Sequence, residues 1–255
     1  MSVNIKVLTF NLRIQVEEDG INAFFNRTDR VLDCINTYQP DIIGFQEANA
    51  PMRAFLRENL KGYTVIGCGR YKNYNGESTP IAFRNDVFEL ISLDTFWLSD
   101  QPSVPGSRYP GDQSGCPRLC ITALLKHADC ERPFRFYNTH LDHIGENARL
   151  LESKQLIGYI SERSEPFVLT GDFNALPDTP EIRAFSDCGL GIKDVTANLG
   201  GTFHAFGQEE IPAKIDYIFT NAPCDESKAF IIPDGGVNGV YISDHFPVCE
   251  IVEME

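Results

Sequence analysis

Residues 166–177 read PFVLTGDFNALP. The apolar and β-branched run at 167–170 has the character of a buried strand. Gly171 ends it, and Asp172 and Asn174 then flank Phe173. At strand alternation, positions 172 and 174 share a face. A carboxylate and a carboxamide would therefore stand together at a strand end, with Phe173 turned to the core. Gly, Asp and Asn also build turns, so the stretch taken alone leaves a plain turn open. What ends the other strands decides between the two.

Outward from this stretch the pattern alternates. A strand at 3–10 precedes a helix at 26–38, which carries Val31, Leu32 and Ile35 on one face and stops before Pro40. DIIGFQE, 41–47, is a second buried strand. Residues 51–60 begin with Pro51, favoured in a helix's first turn. Strands follow near 63–69, 79–84, 87–97, 117–126 and 133–139. A helix over 146–163 places Ala148, Leu151, Gln155, Leu156, Tyr159 and Ile160 at helical spacing. A short helix near 179–186 and strands at 214–219 and 246–252 complete the chain. About nine strands with three or four helices indicate a mixed α/β sheet protein. There is no repeat and no linker, so residues 1–255 read as a single domain. The segment 99–116 is rich in Pro and Gly and reads as a long surface loop.

Composition narrows the function classes. The chain has 255 residues, 42% of them hydrophobic, and no apolar run long enough to span a membrane. The start, MSVNIKVLTFNLR, lacks a basic region followed by a long apolar one. A cytoplasmic protein is expected, although a chain already trimmed of an export signal would read the same. None of the eight cysteines forms a CxxC pair, which argues against a zinc cluster and for buried free thiols in a reducing compartment. The net charge is −14, from 22 basic and 36 acidic residues. No basic stripe for duplex DNA is visible, and grouped acid could instead hold a divalent cation.

Polar groups recur where strands stop. Asn11 ends the first strand and Glu47 the second. NTHLDH, 138–143, brings Asn138, His140, Asp142 and His143 to the end of another, and Asp172 and Asn174 follow the next. Asp216 lies within the apolar KIDYIF, and Asp244 and His245 precede the last strand. Each has a plain reading: a turn cap, a solvated acid, a structural histidine. Asp216 is harder to dismiss, because a charge among Ile215, Tyr217, Ile218 and Phe219 needs a partner. His245 or a metal ion would serve. Ligands of α/β folds bind at strand carboxyl ends, so the groups fit one shared site. Their chemistry fits metal-assisted phosphoester hydrolysis: oxygen ligands for a hard cation, a carboxylate base for water, and Asn and His donors for a developing oxyanion.

TFNLR, GFQEA, NTHLDH, GDFNALP, IDYIF and SDHFPV, in this order and spacing, resemble the endonuclease/exonuclease/phosphatase superfamily from Val7 to Val248. The resemblance implies a four-layer α/β/β/α sandwich of two packed mixed sheets with helices outside. It implies Mg²⁺, or Mn²⁺, held by Glu47 with Asn11 close by and Asp244 joining the shell. Asp172 would activate water and Asn174 would orient phosphate. His140 would bind phosphate or protonate the leaving group, and His245 would contact the scissile phosphate, oriented by Asp216. NTHLDHIGENARLLES, STPIAFRND and GCPRLCITALL resemble the branch of deadenylase-like and uncharacterised bacterial hydrolases. Arg118 would there reach the phosphate, with a surface salt bridge as the equal alternative. The loop SRYPGDQSGC departs from the aromatic loop common in the family. GTFHAF, 201–206, reads as a packing turn rather than a leaving-group contact.

The expected function is thus hydrolysis of a small or single-stranded phosphoester by a monomeric enzyme. A DNA-directed nuclease is the alternative, disfavoured by the charge. An inactive binding module of the same fold is less consistent, since every matched site residue is present.

Overall fold

The computed structural model describes residues 2–255. The strands are β1 (Val3–Asn11), β2 (Ile42–Gln46), β3 (Tyr63–Ile66), β4 (Ile81–Arg84), β5 (Phe88–Trp97), β6 (Leu119–His127), β7 (Phe134–His140), β8 (Phe167–Asp172), β9 (Lys193–Asp194), β10 (Asp216–Thr220), β11 (Phe230–Ile231) and β12 (Val248–Met254). The helices are α1 (Thr28–Tyr38), α2 (Ala50–Asn59), α3 (Glu146–Ser161) and α4 (Pro180–Asp187). The two-residue strands β9 and β11 were not foreseen, being too short to carry a period-2 signal.

Two six-stranded sheets form, in the orders β11-β12-β1-β2-β4-β3 and β5-β6-β7-β8-β10-β9. Pairs β1/β2 and β7/β8 are parallel and the other pairs antiparallel, so both sheets are mixed. Strand parity builds the layers. Ile5, Val7, Ile42, Phe136, Val168 and Ile218 pack between the sheets. Leu8, Phe10, Ile43 and Phe45 face outward onto Val31, Ile35, Met52 and Leu56 of α1 and α2. Tyr137, Leu169, Phe173 and Phe219 face outward onto Leu156, Ile160, Ile182 and Phe185 of α3 and α4. This is the four-layer α/β/β/α sandwich.

The same parity positions the polar residues. Residues two apart share a face, so the inner rows that begin with Val7, Phe136, Val168 and Ile218 run on to Asn11, His140, Asp172 and Asp216. Before that end lies a polar belt. Asn138 Oδ1 accepts from Gln46 Nε2 at 2.8 Å and Thr170 Oγ1 at 3.0 Å, and its Nδ2 donates to Phe45 O at 2.7 Å. The sheets approach so closely here that a Cβ on Gly44 would overlap Thr170 Oγ1 and lie 2.6 Å from Asn138 Oδ1.

Residues 98–118 contain no helix or strand but are tied down. Asp112 accepts the N–H groups of Asn147 and Ala148 at the start of α3, and Tyr109 Oη donates to Gln155. All eight cysteines are free. Among the described residues no helix is long and apolar enough to cross a membrane.

Candidate active site

Asp172 ends β8 on the inner face, and the ladders place its neighbours. His140 is its register partner on β7 and Asp216 its antiparallel partner on β10. Two carboxylates directly opposed repel unless a cation or donor intervenes. His245, in the segment before β12, supplies one: its Nδ1 lies 2.8 Å from Asp216 Oδ2 and its Nε2 3.8 Å from Asp172 Oδ2. His140 Nε2 lies 3.5 Å from the same Asp172 Oδ2. The two histidines, 105 positions apart in sequence, thus converge on one oxygen.

Asn174 joins them by a different route from the alternation the sequence suggests. The strand stops at Asp172, and Asn174 takes the left-handed conformation at φ 48°. Its N–H donates to Asp172 Oδ1 at 2.9 Å, an Asx turn. Its Nδ2 lies 2.9 Å from His140 Nε2 and donates to Leu141 O at 3.0 Å. Phe173 is fully buried under α4.

Glu47 leaves β2 in the left-handed conformation at φ 62°, which swings its carboxylate to the end of β1. There Oε1 accepts from Asn11 Nδ2 at 3.2 Å and Oε2 from the Ile14 N–H at 2.8 Å. Asn11 Nδ2 also donates to Asp172 Oδ2 at 2.9 Å. Glu47, His140 and Asp172 each offer an atom within 4.8 Å of the others. The two carboxylates suit a hard divalent cation, and an amide nitrogen bridging them marks where positive charge is favoured.

Two expected ligands are placed differently. Asn11 meets the carboxylates through its nitrogen, while its oxygen accepts the Arg13 N–H at 2.9 Å. The Asp244 carboxylate lies 3.8 Å from Arg13 Nε and accepts from Ser243 Oγ at 3.2 Å, outside both carboxylate–histidine clusters.

The histidines divide by charge. Burial lowers His245, but the Asp216 charge and hydrogen bond, with Asp244 and Asp172, outweigh it and push its pKa to about 10. Burial and the Arg118 and Arg70 charges hold His140 well below its ordinary value, so its ring is neutral. Asp172 is raised to about 7 by burial and then by Asp216, with His245 opposing.

Arg118 is 3% exposed, so a surface salt bridge does not describe it. Its Nη2 lies 2.9 Å from His143 Nδ1 and its Nε 3.7 Å from Asp142 Oδ2. Arg118 and His143 wall a cleft of about 440 Å³ with His140, Asp172, Asn174 and His245. Phe203 of the 201–206 turn also lines it and meets the His245 ring edge to face at 5.0 Å, whereas His204 packs against Phe246. Arg13, Arg70 and Cys116 line the cleft without having been singled out in the sequence. Arg70 follows directly on the expected strand at 63–69, so the strand-end signal applied to it as well.

Comparison with known proteins follows the same lines. The Endonuclease/Exonuclease/phosphatase family profile matches residues 8–245. A crystal structure of an endonuclease/exonuclease/phosphatase from Bacteroides vulgatus is 31% identical, covers 99% of this chain and 100% of its own, and superposes with a TM-score of 0.89. A mannosyl-6-phosphatase of Bacteroides thetaiotaomicron is 29% identical, with 97% and 99% coverage and a TM-score of 0.84. An uncharacterised protein of Acanthamoeba polyphaga mimivirus is 25% identical over 274 residues, covering 98% of this chain and 100% of that one.

Proposed function

The chain belongs to the endonuclease/exonuclease/phosphatase family and is a metal-dependent phosphoester hydrolase; on that premise we propose that its ion is Mg²⁺ and its substrate a small phosphoester. Glu47 would hold the ion, which when bound neutralises charge on the phosphoryl oxygens. Mn²⁺ satisfies the same oxygen set.

The observation that carries the reading is the single carboxylate oxygen, Asp172 Oδ2, within 3.8 Å of both histidines and hydrogen-bonded to Asn11. Asp172 accepts a proton from the attacking water. His245, kept charged by Asp216, faces the phosphoryl oxygens as a donor through Nε2. Neutral His140 positions the Asn174 amide and has no proton on Nε2 when that amide donates to it. Arg118 brings a cation held on Asp142. A relative of 29% identity that is a phosphatase of a phosphorylated sugar supports a small substrate, as does the net charge of −14.

The test is a panel of sugar phosphates, nucleotides and chromogenic esters, assayed with Mg²⁺, with Mn²⁺ and with chelator. Turnover of at least one small ester with Mg²⁺, abolished by chelator and severely reduced in Glu47→Gln, is expected. Chelator-resistant hydrolysis, or a fully active Glu47→Gln, would remove the metal role assigned to Glu47.

A further inference from the structure

Arg70 sits between β3 and β4 and is 7% exposed. Its backbone is pinned on both sides: its N–H donates to Glu77 O at 2.8 Å, and its C=O accepts from Trp97 Nε1 at 2.7 Å. Its Nη2 is held by the Glu77 carboxylate and lies 3.2 Å from Cys116 Sγ. Its Nε has no partner. Neither do Arg118 Nε and Nη1, apart from the Asp142 carboxylate 3.7 Å from that Nε, nor Ser78 Oγ. Nearly all buried polar atoms in proteins are hydrogen-bonded. A guanidinium can only donate, so the partner missing from both arginines is an acceptor, and an anionic oxygen would make the strongest, charge-assisted bonds with them.

The space available sets its size. Arg70, Arg118, Ser78 and His140 share a narrow crevice of about 10 Å³ with Glu77, which holds Arg70, and Glu47, the residue that would hold the cation, at the cleft that holds Asp172. That is room for about one water-sized atom. A bare phosphoryl oxygen fits there and the carbon of an ester arm does not. A phosphodiester has two non-bridging oxygens and a single negative charge. The terminal phosphate of a monoester has three and, above its second pKa of about 6, two charges. His245 and the cation are enough for two oxygens, which leaves the donors of Arg70 and Arg118 in excess for a diester.

We propose that Arg70 is a substrate-binding residue which, with Arg118, receives the third oxygen of a phosphate dianion and makes this site prefer phosphomonoesters to phosphodiesters. The proposal rests on the hydrolase reading above and adds the substrate class. Arg70 is suited to it because Glu77 fixes the guanidinium plane while leaving Nε free.

The experiment compares 4-nitrophenyl phosphate with methyl 4-nitrophenyl phosphate, which share a leaving group, using the Mg²⁺-loaded protein, Arg70→Met and Arg70→Lys. Wild type is expected to favour the monoester. Arg70→Met should lower monoester kcat/KM by about a hundredfold and diester kcat/KM by no more than about tenfold, the scale of one charge-assisted contact. Arg70→Lys should recover part of the preference. Inorganic phosphate, measured as a binder by calorimetry, should weaken in Arg70→Met by a similar factor. Equal losses on both esters, or a wild type that favours the diester, would overturn the role of Arg70 while leaving the hydrolase intact. If neither ester is hydrolysed, the hydrolase reading is at fault. Phosphate binding then judges Arg70 alone: unchanged binding in Arg70→Met overturns it, and weakened binding supports it.

Discussion

Asp172 shares its Oδ2 among Asn11, His140 and His245, while Asp216 faces it across the ladder. At this scale the account depends on pairs rather than single side chains. In the proposed mechanism Asp216 acts through His245, so Asp216→Asn should lower turnover by about a hundredfold, within the range for a disturbed acid–base group. The double variant Asp216→Asn, His245→Ala should be no slower than His245→Ala by itself. Additive losses in a steady-state cycle would show that Asp216 acts independently of the histidine. A second pair concerns stability. Glu152 is fully buried beneath Asp142, and burial pushes its pKa to about 8. Burial also opposes ionisation of Asp142, but the N–H groups of Gly145, Ser114 and Ile144 and the Ser114 hydroxyl outweigh it and hold that carboxyl below its ordinary range. The folded pKa of Glu152 lies above the unfolded one, so its contribution is full below about pH 4.5 and is lost as pH rises to about 8. Thermal or urea unfolding from pH 6 to 8 should show wild type losing on the order of 2 kcal/mol relative to Glu152→Gln. Parallel curves would mean that Glu152 is ionised in the folded protein.

At the scale of elements, the polar belt between the sheets is the feature most exposed to test. Asn138 bonds to Thr170 on the neighbouring strand and, across the sandwich, to Gln46 and three backbone carbonyls. Asn138→Ala leaves those partners buried and unpaired, and should destabilise the protein by about 3 kcal/mol in denaturant unfolding. A cost below about 1 kcal/mol would mean that the belt relaxes around the gap. The sequence shows Asn138 as one more polar strand-end residue. It cannot show that the sheets meet at Gly44, because that depends on which strands face each other. The ten longer strands and all four helices were legible because burial imposes period 2 or 3.6 over enough residues. The approach of His140 to His245 was legible from the strand-end pattern, which put both in one shared site, and the family resemblance added their roles. Asn174 was placed beside Asp172 for the wrong local reason, since left-handed φ at Asn has no periodicity. Arg70 stands at the end of the expected strand at 63–69, so the same strand-end signal reaches it, but the sequence does not show that it faces the cleft.

For the whole molecule, charge separates the candidate substrates. A net charge of −14 repels a polyanion except at the cleft. Hydrolysis of duplex DNA should therefore be weak with a shallow salt slope, and a small ester should be turned over with modest salt sensitivity. Assays from roughly 20 to 200 mM salt, over which the Debye length falls about threefold, distinguish these cases. Efficient duplex cleavage that collapses steeply with salt would place a DNA-directed nuclease first. The central claim is that Asp172, at the meeting point of both sheets, activates water for metal-dependent hydrolysis of a small phosphoester. The most direct measurement is kcat for such an ester, with Mg²⁺ and with chelator, on wild type and Asp172→Asn, alongside inorganic phosphate affinity. The account predicts chelator-sensitive turnover that falls by about three orders of magnitude in Asp172→Asn, with phosphate binding reduced far less. Turnover in Asp172→Asn near that of wild type, or binding and turnover lost in step, would contradict it.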